Sequence, residues 1–301
     1  MRLVDDNLLS ELEAALEAHL GAKVSLYRLH IDCANDVFRG ETGDSGKKCF
    51  IKVLHPESLE EAAKSNRFIA AMHERGIEYF PRLLVAEPFV WHDMPVVCHE
   101  WLEGEHILAD KMTDSECDSL VDSYMAASAV FPSAVPSPKP PRDIEALYAK
   151  VASFAAKHAI WRGFLSPLLS IPHEERTYEG RRLVPIHADF QYRNYSFSGG
   201  KLVSFYDFDD FTLGSPAEDL AYAITDRIRK NIPAASRRRL AVLFRRMVER
   251  SGLGEKEWRL ALNICRLRVA AKRIDSHPGL GAVAIDVWRR DRPVAALLSR
   301  L

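Results

Sequence analysis

Apolar residues in the first twenty positions recur at helical spacing. Leu8, Leu9, Leu12, Ala15, Leu16 and Leu20 share one side of a helix predicted over residues 6–20, and Gly21 follows as its C-cap. The period then drops to two. KVSLYRL from Lys23, DVFRGET and KKCFIKVL read as strands, the last two joined by the turn Gly43-Asp44-Ser45-Gly46. Residues 57–75 return to a helix whose apolar side carries Leu59, Ala62, Phe68, Ile69 and Met72, and Gly76 ends it. RLLVAEPF and MPVVCHEWL, on either side of Pro88, add two strands. The first hundred residues thus predict a small mixed sheet crossed by one helix.

From Thr113 onward helical patterns dominate. The five prolines of PSAVPSPKPPR forbid regular structure there and separate two helices. A second irregular stretch, SIPHEERTYEGRR, precedes a short apolar strand, LVPI. After Pro216 the pattern is helical to the end, apart from a break at His277-Pro278-Gly279.

Composition narrows the class. The 301 residues are 47% apolar and 28% charged, an ordinary globular balance with room for two structural units. The formal net charge of −1 excludes a chain built to bind nucleic acid through bulk charge. That charge is unevenly spread: residues 217–301 hold 19 Lys and Arg against 9 Asp and Glu. Such a run reads either as a solvated basic helical face or as a basic wall facing an anionic ligand. Cys33, Cys49, Cys98, Cys117 and Cys265 are odd in number and lack C-x-x-C spacing, so they read as reduced thiols of a cytoplasmic protein. The N-terminal segment has no signal-peptide pattern, and no apolar run approaches the ~18 residues of a membrane span. Nothing in the sequence sets an oligomeric state.

The chemistry concentrates in LVPIHADFQYRNYSFSGGKLVSFYDFDD. The strand LVPI delivers His187-Ala188-Asp189, and Asn194 lies five residues after Asp189. A hairpin around Ser198-Gly199-Gly200 then returns the chain to Asp207. A carboxylate that orients a hydroxyl, with an amide oxygen and a second carboxylate to hold Mg²⁺ against phosphates, is the set that phosphoryl transfer requires. Each motif alone is weak; the ordered series is specific.

The pattern H-x-D-x-x-x-x-N, a hairpin and then D-F-D-D resembles the aminoglycoside phosphotransferase and choline kinase-like family, relatives of the protein kinases. The resemblance covers most of the chain. It implies Asp189 as catalytic base, Asn194 and Asp207 as Mg²⁺ ligands, and His187 as a structural member of the catalytic loop. Gly214-Ser215-Pro216-Ala217-Glu218-Asp219-Leu220-Ala221 is similar to the family's G-x-P-x-x-D-L-A, which makes Asp219 a supporting carboxylate. Lys52 in FIKV resembles the strand lysine that binds the α/β-phosphates. Glu100-Trp101-Leu102-Glu103-Gly104 resembles the lobe-connecting hinge, with Glu100 and Leu102 as nucleotide-binding positions. Ala34-Asn35-Asp36-Val37-Phe38 resembles the segment after the phosphate loop, placing Asn35 beside the nucleotide.

The chain also departs from that pattern. Residues 30–35 contain no glycine and carry Asp32 where phosphate would approach. The acidic partner of Lys52 is read as Glu61, with Glu60 as the alternative; both also fit as solvated first-turn acids. Gln191 stands where a charged residue often contacts the γ-phosphate, so Arg193 either supplies that charge or pairs with a neighbouring carboxylate. Trp161, Trp258 and Trp288 read as helix-packing aromatics, and His158, His173 and His277 lack metal-ligand spacing.

The expectation is therefore an α+β, protein-kinase-like two-lobed fold. A small mixed-β nucleotide-binding lobe spans residues 1–101, and a mainly helical catalytic and acceptor-binding lobe spans residues 102–301. The expected reaction moves the γ-phosphate of ATP or GTP, with Mg²⁺, to a hydroxyl of a small-molecule acceptor, leaning to a sugar or glycan-type one. Aminoglycosides and choline or ethanolamine are the alternative acceptors, and a non-catalytic nucleotide-binding module is the alternative class. A protein kinase is disfavoured, because no A-P-E-type segment lies between Asp207 and the D-L-A helix.

Overall fold

The N-terminal leucines form helix α1 (Leu9–Leu20), entered through a 3-10 turn and closed by Gly21 in the left-handed conformation, φ 67°. In this computed structural model the described residues are 4–29, 35–43, 46–135, 137–158, 162–208, 211–225, 233–276, 291, 294–297 and 299. The chain divides into two compact units: Met1–Gly104 with Val203–Asp209, and Glu105–Leu202 with Asp210–Leu301.

The first unit is built on a five-stranded sheet of β1 (Val24–Arg28), β2 (Asp36–Thr42), β3 (Lys48–Val53), β4 (Phe89–Trp91) and β5 (Met94–Glu100). The strand order is β1-β2-β3-β5-β4, antiparallel at every pairing. Alternation puts Val24, Leu26, Cys49, Ile51, Val53, Val96 and Cys98 on one face, where Leu12 and Leu16 of α1 seal them from water. Truncating either leucine to alanine at such a site costs about 2–5 kcal/mol. Helix α2 (Leu59–Glu74) covers the other face, setting Ala62 against Leu54 and Val97. Gly40 has a packing reason: a Cβ there would stand 2.5 Å from Cys49 Sγ.

The expected strand RLLVAEPF does not form. Only Phe89 belongs to a strand, and Leu83 makes an isolated bridge with His99. Buried Asn66 on α2 explains the difference. Its Nδ2 donates to the carbonyls of Val85 and Ala86, at 3.4 and 3.1 Å, and so takes acceptors a ladder would use.

The second unit holds α3 (Asp114–Ala134), α4 (Ile144–Lys157), α5 (Arg162–Leu169), β6 (Val184–Ile186) and β7 (Tyr195–Ser198). β8 (Lys201–Phe205) begins in this unit and ends in the first, and β9 (Thr212–Gly214), α6 (Pro216–Thr225), α7 (Ala234–Ser251) and α8 (Glu255–Ser276) complete it. Thr113 and Glu116 form a full capping box on α3. Contrary to expectation, Pro132 lies inside α3, in its last turn, so the proline-rich stretch is not wholly irregular. α6 is buried along nearly its whole length. Gly252, at φ 65°, closes α7, a break the helical pattern after Pro216 does not show; the break expected at residues 277–279 lies outside the described residues, as do Trp161 and Trp288. Trp258 is buried edge-on to Phe244, as a packing aromatic.

Part of the basic charge after residue 217 goes into an interhelix ladder. Asp114, Asp118 and Asp122 are spaced one turn apart on α3 and pair with Arg239, Arg246 and Arg250 of α7. Arg259 pairs with Glu255, and Arg266 with Asp291. Among the described residues no helix is long and apolar enough to cross a membrane.

Candidate active site

In the first unit Lys52 lies on β3 and meets Asp207. Register pairs it with Val97, on the α2 face of the sheet. Its Nζ donates to Asp207 Oδ1 at 2.9 Å. The lysine side chain is 13% exposed and the aspartate side chain 46%, so the carboxylate remains open to a ligand. Asp207 takes a left-handed backbone, φ 62°, between two anchored aromatics. Phe208 packs on Phe68 and Phe80, with ring centres 5.2 and 4.7 Å away. Phe205 donates its N–H to Tyr79 O at 2.7 Å and lies against Phe80.

The other expected nucleotide contacts belong to the same unit. Glu61 is exposed in the first turn of α2, beside Glu60, which is paired with Lys64. Asn35 is half-buried at the entry to β2, and the glycine-free loop before it, residues 30–34 with Asp32, lies outside the described residues. Glu100 ends β5 and donates its N–H to Arg82 O at 2.8 Å. The carbonyl of Leu102 accepts from Tyr206 Oη at 3.4 Å. One polar pair here escapes sequence reading: His99 Nε2 meets Asn66 Oδ1 at 3.1 Å. Burial, and then the charge of Lys52, pushes the His99 imidazole down to about 4, so it is neutral at physiological pH.

In the second unit β6, paired with β9, delivers the loop from His187 to Asn194. His187 N and Ala188 N donate to the two oxygens of Asp219 at 2.7 and 2.9 Å, and Tyr124 Oη donates to Asp219 at 2.7 Å. Asp219 is fully buried; desolvation raises its carboxyl, and the nearby His187 and these donors oppose the rise. Ala188 adopts φ 70°, an unusual conformation for a side chain with a Cβ. Asp189 is half-buried. Gln191 Nε2 donates to Asp189 Oδ2 at 2.8 Å, and Asn194 Nδ2 donates to the Asp189 carbonyl at 2.8 Å. His187 Nδ1 accepts from Asp189 N at 3.4 Å. Arg193 is exposed, with its Nε on Tyr192 Oη at 3.0 Å and its guanidinium 5.6 Å from that ring.

Beneath this loop lies a second buried acid that the sequence did not single out. Glu218 accepts from Ser215 N at 2.9 Å and from Tyr178 Oη at 3.0 Å on both oxygens. Burial lifts its carboxyl to about 7, against the pull of Ser215, Arg142 and Tyr178. Gly214 makes room, since a Cβ there would stand 2.6 Å from Glu218 Oε1. The only sequence signal for Glu218 was its place beside Asp219 at the start of an apolar helix.

Within each unit, then, the expected residues assemble in part: Lys52 with Asp207 in the first, and His187, Asp189, Gln191, Asn194 and Asp219 in the second. Among the described residues no group of three or more His, Cys, Asp or Glu is placed to hold a metal. A cation held by one carboxylate, one amide oxygen and phosphate oxygens requires no such group.

Residues 26–254 match the model of the APH family, the phosphotransferase enzyme family. No curated protein matches the sequence. Among solved structures the chain is similar to macrolide 2'-phosphotransferase MphH from Brachybacterium faecium, at 17% identity and a TM-score of 0.61, covering 98% of this chain and 99% of that one. It is similar to aminoglycoside phosphotransferase APH(3'')-Id from Streptomyces rimosus, at 16% identity and a TM-score of 0.57, with 88% and 99% covered. It is also similar to spectinomycin phosphotransferase APH(9)-Ia in complex with ADP and spectinomycin, at 11% identity and a TM-score of 0.60, with 96% and 97% covered. At these identities the likeness is one of fold: α+β and protein-kinase-like.

Proposed function

The chain belongs to the phosphotransferase enzyme family, and from that premise we propose that it transfers the γ-phosphate of ATP or GTP to a hydroxyl of a small polar acceptor, with Asp189 as the base. One observation carries the reading. Gln191 orients one carboxylate oxygen of Asp189, while among the described residues the other takes no hydrogen bond and stays available to an acceptor hydroxyl. A carboxylate so placed aligns the attacking oxygen and receives its proton as the bond to phosphorus forms.

Lys52 would bind the α/β-phosphates, with Glu61 turning to it when nucleotide is present. Asn35, Glu100 and the Leu102 backbone would line the nucleotide. Residues 1–101 would form the nucleotide-binding lobe, and residues 102–301 the catalytic and acceptor-binding lobe. His187 and Asp219 would hold the loop, and Gln191 and Arg193 would face the transferred phosphate.

The donor set fits Mg²⁺. Asn194 spends its Nδ2 on the Asp189 carbonyl, which leaves its amide oxygen for a cation, and Asp207 offers an exposed carboxylate. Asn194 and Asp207 would hold the ion, whose chemistry is to neutralise phosphate charge. The four described cysteines, buried as free thiols, support a cytoplasmic setting.

For the acceptor, a neutral or anionic sugar or glycan-type alcohol is favoured by Arg268. It is half-buried, with its guanidinium 4.5 Å from the Tyr222 ring and Nη1 3.5 Å from the Ala188 carbonyl. Among the described residues it has no carboxylate partner, unlike Arg239, Arg246, Arg250, Arg259 and Arg266. An antibiotic acceptor is the second reading, favoured by the names of the three similar structures.

The test is a panel of neutral sugars, sugar phosphates, choline, macrolides and kanamycin-type polyamines, with ATP and with GTP, read by product mass. Sugar-type turnover that Asp189→Asn lowers at least about 10²-fold is expected. Turnover with the antibiotics alone overturns the acceptor reading. Nucleotide binding with no turnover, and no slow hydrolysis sensitive to Asp189→Asn, makes the chain a non-catalytic module.

A further inference from the structure

The proline-rich stretch before α4 is stitched along β9. Lys139 N–H donates to Phe211 O at 2.8 Å, Leu213 N–H donates to Lys139 O at 2.9 Å, and Thr212 Oγ1 donates to Pro140 O at 2.6 Å. Pro140 and Pro141 keep the chain extended there, because fixed φ and a missing N–H exclude a helix. The helix starts only at Ile144, capped by Asp143 through a 2.8 Å bond to Ala146 N. Arg142 is delivered at the junction, half-buried, and its side chain reaches the catalytic loop: Nη2 donates to the Ala188 carbonyl at 2.6 Å.

That carbonyl belongs to the peptide joining Ala188 to Asp189. A left-handed alanine costs on the order of 1 kcal/mol and persists only where its surroundings over-determine it. Asp219 holds the loop from the amide side, through His187 N and Ala188 N. Arg142 holds it from the carbonyl side, with Arg268 as a longer contact. Arg142 is itself anchored, with Nη1 3.5 Å from Glu218 Oε2, and Glu218 is fixed by Tyr178 and Ser215. A planar fork that serves a carbonyl with one nitrogen and a carboxylate with the other suits arginine and not lysine.

We propose that Arg142 is a positioning residue for phosphoryl transfer: braced by Glu218 and Tyr178, it fixes the Ala188–Asp189 peptide and so sets the direction of the Asp189 carboxylate. This rests on the reading of Asp189 as the base. The charged and titratable groups that face Glu218 here are Arg142, Tyr178, Asp219, Tyr124 from α3 and Cys265 from α8, with Arg268 near Tyr178 and Cys265. None of them replaces the Arg142 bond to Ala188 at its 2.6 Å length.

The experiment measures Mg²⁺-dependent ATP hydrolysis by the full chain for wild type, Arg142→Met, Arg142→Lys and Asp189→Asn. A misplaced reacting group costs up to about 10²-fold, so Arg142→Met is expected to lower kcat by about tenfold to a hundredfold. KM for ATP should stay within about twofold, since a base-positioning contact is made for the transition state and not for nucleotide binding. Added guanidinium ion should recover part of the loss, and Arg142→Lys should fall between. Wild-type kcat in Arg142→Met overturns the proposal, as does a loss matched by an equal rise in KM or one that guanidinium leaves untouched. If Arg142→Met fails to fold, the same measurements on Arg142→Lys decide by the same outcomes. Asp189→Asn separates the two ideas. If it retains hydrolysis, the base assignment fails and takes this proposal with it. If it abolishes hydrolysis while Arg142→Met does not lower it, only the positioning role fails.

Discussion

Asp207 and Asp219 are both aspartates of the motif-bearing region, and their surroundings are opposite. The Asp207 side chain is 46% exposed and meets Lys52 across a 2.9 Å ion pair. Asp219 is buried and receives three donors, from His187, Ala188 and Tyr124. A buried carboxylate already serving three donors has little to offer a ligand, whereas a half-exposed one beside a cation can still meet water and a metal ion. Burial and surroundings, rather than residue type, separate architecture from chemistry here.

The largest effect should come from the pair of alanine variants. Asp219→Ala strands three buried donors, each costing about 1–3 kcal/mol, so a loss of at least ~3 kcal/mol in urea unfolding is expected, or no folded protein. Asp207→Ala removes a half-exposed carboxylate and should cost less than Asp219→Ala, about 1 kcal/mol. It should nevertheless abolish Mg²⁺-dependent nucleotide binding in calorimetry. Equal destabilisation by the two variants, or unchanged Mg²⁺–ATP affinity in Asp207→Ala, breaks the comparison.

What the sequence made legible follows the same division. Asp189, Asn194 and Asp207 could be singled out because their spacing along loop and hairpin is itself a pattern, and Lys52 and Asp219 because their surroundings resemble the family's motifs. Arg142, Tyr178 and Glu218 could not, since they are ordinary surface residue types that become partners only when distant segments meet; 76 residues separate Arg142 from Glu218. RLLVAEPF carries strand composition, yet Asn66, near it only in space, claims its carbonyls. The charge excess after residue 217 was visible, but the direction of its arginines was not, because the α3 aspartates that pair with three of them lie far upstream in the chain. Gly252 and Gly254 did offer a local signal for the end of α7.

Glu218 sharpens the comparison, being buried like Asp219 but poised near neutrality. Its carboxyl is raised from 4.5 to about 7, chiefly by burial. Between those values the folded chain keeps a proton that the unfolded chain has released. Stability from this group is therefore full below the lower value and is lost as pH rises through the upper one, by roughly 3 kcal/mol at about 1.4 kcal/mol per unit. Glu218→Gln has no proton to lose. Urea unfolding at pH 5 and pH 8 should show a fall for wild type that is largely absent in the variant. Parallel slopes in the two proteins would place the titration elsewhere.

The smallest effect belongs to the ladder between α3 and α7, which tests whether exposed ion pairs are alike. Arg250 and Asp122 meet at 2.5 Å with side chains 44% and 51% exposed, figures close to the exposure of Asp207. If the exposure of the carboxylate alone decided, both pairs would behave alike under salt, but Lys52 is only 13% exposed. They differ in what surrounds them. The ladder rungs project from regular helices with no strained backbone, whereas Asp207 is held at a left-handed residue between Phe205 and Phe208, both packed on Phe80. Water can solvate Arg250 and Asp122 separately at little cost, so their pairing adds little. The double-mutant cycle Asp122→Ala with Arg250→Ala should therefore show a weak coupling in urea unfolding. It should vanish in about 1 M NaCl, where the screening length falls to ~3 Å. The position of Asp207 is set by aromatic packing, so the same salt should leave unchanged the protection against hydrogen exchange of the nearby Phe205 amide, which donates to Tyr79 O. A ladder coupling that survives high salt would show that the rungs work as a network, and α7 would then owe its place to charge as well as to its buried face.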